Sequence, residues 1–410
     1  MLQRETFVNK IDTHKSIILG LFLGSQILGH AIGNIALSLL LSLFFFTVIV
    51  KKKITIDKLL LPVLLYFLWG LVSVFWTTSV PDTSSGVGKT IGLLVIPLIL
   101  SQLSKITDKD IKKIFDIFSY CLLIYFLIAL VRACLLYSHE YDTSHFFYHN
   151  LVSLFKNNAI YISLFVGICL LVKVNLSDKN NLNKITILLL SVFLVLLASK
   201  NLIISTAILL IFSKILMALK NGSLSKNIVV SFLIVASFAF ILVFFENPIK
   251  QRFLEEASLN IDNVLIQDDF SDFVFNGSNL RIFQWRIVHE MIENDQLGFL
   301  GLGLNNVNYL TEQYFNYYNV YQGYMPVNFH NQYLQTFGEL GVIGCILLFS
   351  TFLFLLRKSF TDKNVIILVV CLLIAFSFFT ESYLSRQKGI LLFATCYSLL
   401  IRYCNGLKIK

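Results

Sequence analysis

The sequence predicts an all-α integral membrane protein of about twelve transmembrane helices with one large outer loop, and three observations predict it. Of its 410 residues 56 % are hydrophobic and only 14 % charged, too apolar for an aqueous globule whose surface must be largely polar. Apolar runs able to cross about 30 Å of hydrocarbon, at about 1.5 Å of helix per residue, recur along the whole chain. Basic residues gather in the short connections between those runs, as a positive-inside bias requires.

The runs fall at roughly 16–31, 34–50, 59–76, 90–103, 114–137, 158–174, 184–199, 201–218, 227–245, 331–356, 364–380 and 388–405. The first lacks a small-residue cleavage site and leads into the second, so it reads as a span and not as a removable signal. Two pairs resemble single long helices, but His30, Gly33 and Asn34 in one, and Ser199, Lys200 and Asn201 in the other, favour a reversal midway. With both termini inside, 23 of the 33 basic residues lie on the cytoplasmic side, including Lys51, Lys52, Lys53, Lys58, Lys105, Lys109, Lys112 and Lys113. This sorting accounts for the net charge of +9 better than nucleic-acid binding, which calls for a basic face or arm. Seven cysteines, an odd number, sit in or beside apolar runs and read as small packing residues, not a disulfide framework.

The organisation is then a bundle of nine spans over 1–245, a large outer loop over 246–329 and three spans over 330–410. The loop is far longer than a usual connection and holds eleven acidic and four basic residues among Phe, Tyr and Trp. Its segment FVFNGSNLRIFQWRIVHEMIEN spaces Leu280, Phe283, Ile287 and Met291 at helical intervals, which predicts an amphipathic helix lying on the membrane or over the bundle. Smaller outer loops are expected at 77–89 and 138–157. No repeat of fixed period and no low-complexity segment is present.

Three places carry polar groups that a membrane bundle does not need for packing. In VNFHNQYLQTFGELGVIG, His330 and Asn331 precede a helix with Gly338, Gly341 and Gly344 spaced by three and a buried-type Glu339. The stripe predicts close approach of a neighbouring helix, and the glutamate requires a partner. A histidine at such a helix start is an interfacial side chain or a base at the mouth of a cavity. Arg281 and Trp285, one turn apart with Arg286 adjacent, either touch lipid phosphates or offer a planar cation and an aromatic face to a phosphorylated sugar. In LLASKNLIIS, Lys200 either snorkels to the headgroups or, beside Asn201, presents a point charge to an anionic ligand. Glu381, Arg386 and Lys388 in TESYLSRQKG either complete a site or form an interfacial turn.

The pattern His330, Asn331, Gly341, Gly344, placed after a long outer loop bearing Arg281 and Trp285, resembles the signature of the O-antigen ligase and O-antigen polymerase superfamily. GFLGLGLNNVNYL, residues 298–310, resembles that family's glycine-containing segment upstream of the histidine. The likeness is most specific over 278–344 and weaker over 196–206. There the family usually has Ser-Arg where this chain has Ser199 and Lys200, keeping the charge but losing the bidentate fork.

The resemblance implies a GT-C-like membrane glycosyltransferase in the bacterial inner membrane with a periplasmic active site. Such an enzyme moves a glycan from a polyprenyl (undecaprenyl) diphosphate carrier to an acceptor hydroxyl. The acceptor is lipid A core for a ligase, the favoured reading, or a carrier-linked glycan for a polymerase. It implies His330 as base, Arg281 and Lys200 as cations facing the leaving diphosphate, and Asn331, Arg286, Trp285, Asn201, Arg386 and Lys388 around the substrate. A single displacement with inversion, no metal and no cofactor is expected. The acidic IQDDFSD reads as a solvated loop, and no nucleotide-phosphate loop occurs. A lipid-linked oligosaccharide flippase is the alternative from another class, although the chain shows no paired halves.

Overall fold

The computed structural model describes residues 2–176, 178, 180–220, 254, 261–325 and 328–403. These form helices, turns and an isolated bridge between Ile106 and Tyr403. The longer helices are α1 (Leu2–Ser25), α2 (His30–Lys51), α3 (Leu61–Val72), α4 (Val80–Thr90), α5 (Gly92–Gln102), α6 (Asp108–Glu140), a short α7 (Tyr148–Leu151), α8 (Ala159–Leu176), α9 (Asn181–Leu196) and α10 (Lys200–Lys220). After them come α11 (Ile261–Ile266), α12 (Gly277–Glu293), α13 (Val307–Tyr317), α14 (Gln332–Asp362), α15 (Val365–Phe378) and α16 (Gln387–Arg402). Among the described residues, seven stretches are long and apolar enough to cross a membrane, and α9 and α15 are shorter apolar helices.

Both suspected reversals are present. Gly29, at φ 102°, precedes α2, and Ala198, at φ 48°, separates α9 from α10. The expected span at 227–245, residues 404–405 of the last span and most of 246–260 lie outside the described residues. The segment 77–89 differs from expectation. Pro81 sits in the first turn of α4, where its missing N–H costs nothing, so most of that loop is helix leading into α5.

The centre of the bundle is α8, whose side chains from Tyr161 to Lys173 are all buried and which packs on α6, α9, α10 and α15. A buried ammonium needs a counter-charge, and Lys173 has one in Asp116, 2.5 Å away, with Asn183 Oδ1 at 3.2 Å. One end of the bundle gathers the Lys-rich connections. There Lys51 donates to the Gln102 carbonyl at 2.9 Å, and the bridge at Ile106 ties α16 to the start of α6. The opposite end carries the large loop.

That loop has its own apolar core. Phe283, Ile287 and Met291 of α12 meet Val264, Phe270, Phe275, Val307 and Phe315, so the loop itself covers the apolar face expected to lie on the membrane or over the bundle. Arg286 ties this core together. Its guanidinium donates to Glu290 at 2.7 Å and to the carbonyls of Gln267 at 2.6 Å and Val264 at 3.2 Å, and it lies 4.6 Å over the Tyr318 ring.

The glycine-rich start of α14 also departs from expectation. The helix breaks at Gly341, whose φ of 64° and ψ of −161° are reached essentially by glycine alone. What enters the break is the glycine segment at 298–304, not a neighbouring helix. Leu302 and Gly303 donate their N–H groups to the Gly338 and Glu339 carbonyls at 2.9 Å each. The N–H of Val342 goes to the Phe299 carbonyl at 3.1 Å, and the Trp69 indole donates to the Leu340 carbonyl at 3.0 Å. Every one of these groups would be a costly orphan in a low-dielectric interior. The approach is so close that a Cβ on Gly301 would stand 2.6 Å from the Gly341 nitrogen.

Candidate functional site

The break and its inserted segment hold α14 at Gly338–Val342, about two turns into the helix, and His330 stands just before the residue that caps its first turn. Asn331 is the N-cap, its side-chain oxygen accepting from the N–H groups of Tyr333 at 2.9 Å and Leu334 at 3.2 Å, an arrangement generally worth about 1 kcal/mol. His330 itself takes a left-handed conformation, φ 48°, which costs a side-chain-bearing residue energy and persists where surrounding bonds over-determine it. Those bonds are present. Asn328 Oδ1 accepts from the His330 N–H at 2.9 Å, and Gln335 Oε1 accepts from Phe329 N at 2.9 Å.

A second strand of contacts comes from the turn between α15 and α16. The Asn331 N–H donates to Ser382 Oγ at 3.1 Å, and Leu384 N donates to Gln332 Oε1 at 2.6 Å. Tyr161 from α8 donates to the Ser382 carbonyl at 3.3 Å. This lacing places the Glu381 carboxylate 3.3 Å from His330 Nδ1. The imidazole is 31 % exposed and the carboxylate 2 %, so a buried acid holds a ring that reaches solvent. Burial raises the proton affinity of Glu381, but the His330 hydrogen bond and the charges of His330, Arg281 and Arg386 outweigh it, holding its pKa below the ordinary 4.5. An ionised Glu381 accepts a hydrogen bond from Nδ1–H, and in the neutral ring this leaves Nε2 as the nitrogen able to take a proton.

Arg281 and Arg386 therefore share one electrostatic neighbourhood with His330. Arg281 donates from one terminal nitrogen to the Gly277 carbonyl at 3.0 Å. Its Nε is buried and, among the described residues, has no hydrogen-bond partner. Arg386 is exposed and lies 6.0 Å from the centre of the Tyr161 ring. Asn201 donates to Thr380 Oγ1 at 2.6 Å and to the Phe376 carbonyl at 3.2 Å, tying the start of α10, and with it half-buried Lys200, to the residue beside Glu381. Trp285 is 40 % exposed, one turn along α12 from Arg281.

Three expectations change. Arg286 is spent inside the loop core, so it is a structural tie and not a cation beside His330. Lys388 is buried with its ammonium on Asn157 Oδ1, away from Glu381; Asn157 in turn donates to the Ile27 carbonyl at 2.8 Å. Asn331 serves as a cap that positions His330, its carboxamide oxygen being occupied by the helix. Glu339 does not reach the histidine either, since it accepts from Gln335 at 2.7 Å on the side of the helix break. Glu381 is the acid that sequence reasoning left at the margin. Its signal was an acidic residue opening a polar turn between two apolar spans.

Compared with protein families, residues 185–349 match the O-antigen ligase family. The matched stretch includes Lys200, Arg281 and His330, whereas Glu381 and Arg386 fall beyond it. A comparison with curated proteins finds no match.

Proposed function

From the match of residues 185–349 to the O-antigen ligase family, we propose that the chain is a member of the O-antigen ligase and polymerase superfamily, an inner-membrane glycosyltransferase whose donor is a polyprenyl diphosphate-linked glycan. The observation that carries this reading is the His330–Glu381 pair, set beside the unspent Nε of Arg281. An acceptor hydroxyl is a poor nucleophile, and a neutral imidazole held by a carboxylate is suited to take its proton. The acceptor oxygen bonds to the anomeric carbon while the bond to the diphosphate oxygen breaks, the electron pair leaves with the diphosphate, and the hydroxyl proton passes to His330 Nε2. One displacement inverts the anomeric centre. Negative charge grows on the diphosphate, where Arg281 stabilises it with Lys200 and Arg386 in support, so the charge falls on fixed protein cations without a metal.

The favoured acceptor is lipid A core, making the protein an O-antigen ligase. The same site serves a polymerase if the acceptor is a second carrier-linked glycan. Reconstitution with a polyprenyl diphosphate glycan and each acceptor in turn separates the two, because only the true acceptor is elongated. In that assay His330→Ala is expected to lower transfer by about 10²- to 10⁴-fold, the usual worth of a general base, while donor binding persists. Unchanged transport of the lipid-linked glycan together with no transfer by the wild type would instead identify a flippase.

A further inference from the structure

A cavity of about 500 Å³ opens on the large loop between the C-terminal half of α12 and the face of α13. It is lined by Glu293, Asn294, Gln296, Gln313, Tyr314 and Tyr317, among others. The Tyr314 hydroxyl accepts from Asn294 at 3.0 Å and donates to Gln296 Oε1 at 2.9 Å, so this ring is fixed before any ligand arrives. Tyr317 stands 74 % exposed, its ring 5.0 Å from that of Tyr318 and nearly perpendicular to it. Tyr318 is in turn held by Glu290 at 2.9 Å and by Arg286 at 3.0 Å. Aromatic faces bordered by carboxamides and by the carboxylates of Glu290 and Glu293 offer a flat surface for the C–H side of a sugar ring and paired donors and acceptors for its hydroxyls.

We propose that this cavity is a glycan subsite, which binds hydroxyl-rich sugar units without acidic groups at a distance from the reacting anomeric carbon. The proposal rests on the glycan-transfer reading for its biological meaning, although not for its test. Arg281 and Glu290 are nine residues apart on one helix, about 13 Å along its axis, so a single sugar cannot reach from Arg281 to the cavity. An oligosaccharide of several units can. Glu293 at the rim is the reason for excluding acidic sugars, since it would repel them. The bound units belong either to the transferred glycan or to the acceptor.

The test measures binding of lipid-free oligosaccharides to the full-length protein in detergent. One probe is released by mild acid from the carrier-linked donor and the other is the core oligosaccharide of the acceptor. Tyr317→Ala is expected to weaken binding of one probe about tenfold, the upper worth of an aromatic contact, and Tyr317→Phe is expected to keep it. Gln313→Ala, at another exposed position, should weaken the same probe. Whichever probe responds identifies the source. If neither probe binds, or if binding is indifferent to Tyr317→Ala and Gln313→Ala, the subsite does not exist. His330→Ala should leave this binding intact, so failure of the transfer reading and failure of the subsite give different results.

Discussion

At His330 the backbone and the side chain make the same point. A left-handed histidine is kept in place by an Asx turn from Asn328, a cap from Asn331 and a bond to Ser382, and the outcome is an imidazole aimed at Glu381. If Glu381 acts by holding the ring, Glu381→Gln should lower kcat by about 10- to 100-fold, the effect of losing a charge-assisted hydrogen bond of roughly 1.5–3 kcal/mol. KM for the donor should change little, because the carboxylate lies behind the ring; a rise in KM at constant kcat would place Glu381 in substrate binding instead. The same residue sets a pH dependence of stability. Its folded pKa lies below the ordinary 4.5, so its contribution is fully present above 4.5 and is lost as pH falls through the lower folded value. Thermal unfolding in detergent should therefore lose stability on acidification in that window, and Glu381→Gln should flatten that part of the curve. An identical acid limb in the variant would assign the dependence to other groups.

The element that matters most is the broken helix α14 with the 298–304 segment seated in it. Gly341→Ala must place a Cβ 2.1 Å from the Phe299 carbonyl oxygen, in a backbone region side-chain-bearing residues avoid. The backbone alone should cost about 1–3 kcal/mol, and a lower melting temperature should come with lost transfer, because His330 hangs from this helix. Gly298→Ala is the control, since its Cβ would meet nothing within 4 Å. The two arginines of α12 give a crossed result. Arg286→Ala should open the loop core to limited proteolysis between 264 and 320. Arg281→Ala should leave proteolysis unchanged and lower transfer. Here the limit of sequence reading is physical. The spacing of Gly338, Gly341 and Gly344 marks close approach by something, but helix and loop satisfy that spacing equally well. Likewise, a guanidinium's charge is visible in the sequence, whereas whether loop carbonyls will consume it depends on contacts such as that between Arg286 and Gln267, 19 residues apart.

For the whole molecule, hydropathy and charge were the legible part. They anticipated a helical bundle and its reversals near Gly29 and Ala198 because each follows from local chain properties, apolar length and interruption. They could not anticipate that residues 330 and 381, 51 apart, would meet, since that follows from how α14, α15 and α16 pack. The same charge pattern implies an orientation that can be tested. Connections bearing Lys51, Lys52, Lys53, Lys58 and Lys105 share one end of the bundle, while the turn at Glu381 and the large loop share the other. Basic residues near span ends resist translocation, and the proposed reaction, with its donor on the outer leaflet, requires the site to be at the opposite end. Single cysteines introduced at Lys53 and at the exposed Gln313, in a background with all seven native cysteines replaced by serine, should then react differently with a membrane-impermeant maleimide. In intact spheroplasts the cysteine at 313 should be labelled, and the one at 53 only after lysis. Labelling of position 53 from outside would invert the protein, put His330 on the cytoplasmic face and remove the proposed reaction from the compartment where its substrates meet.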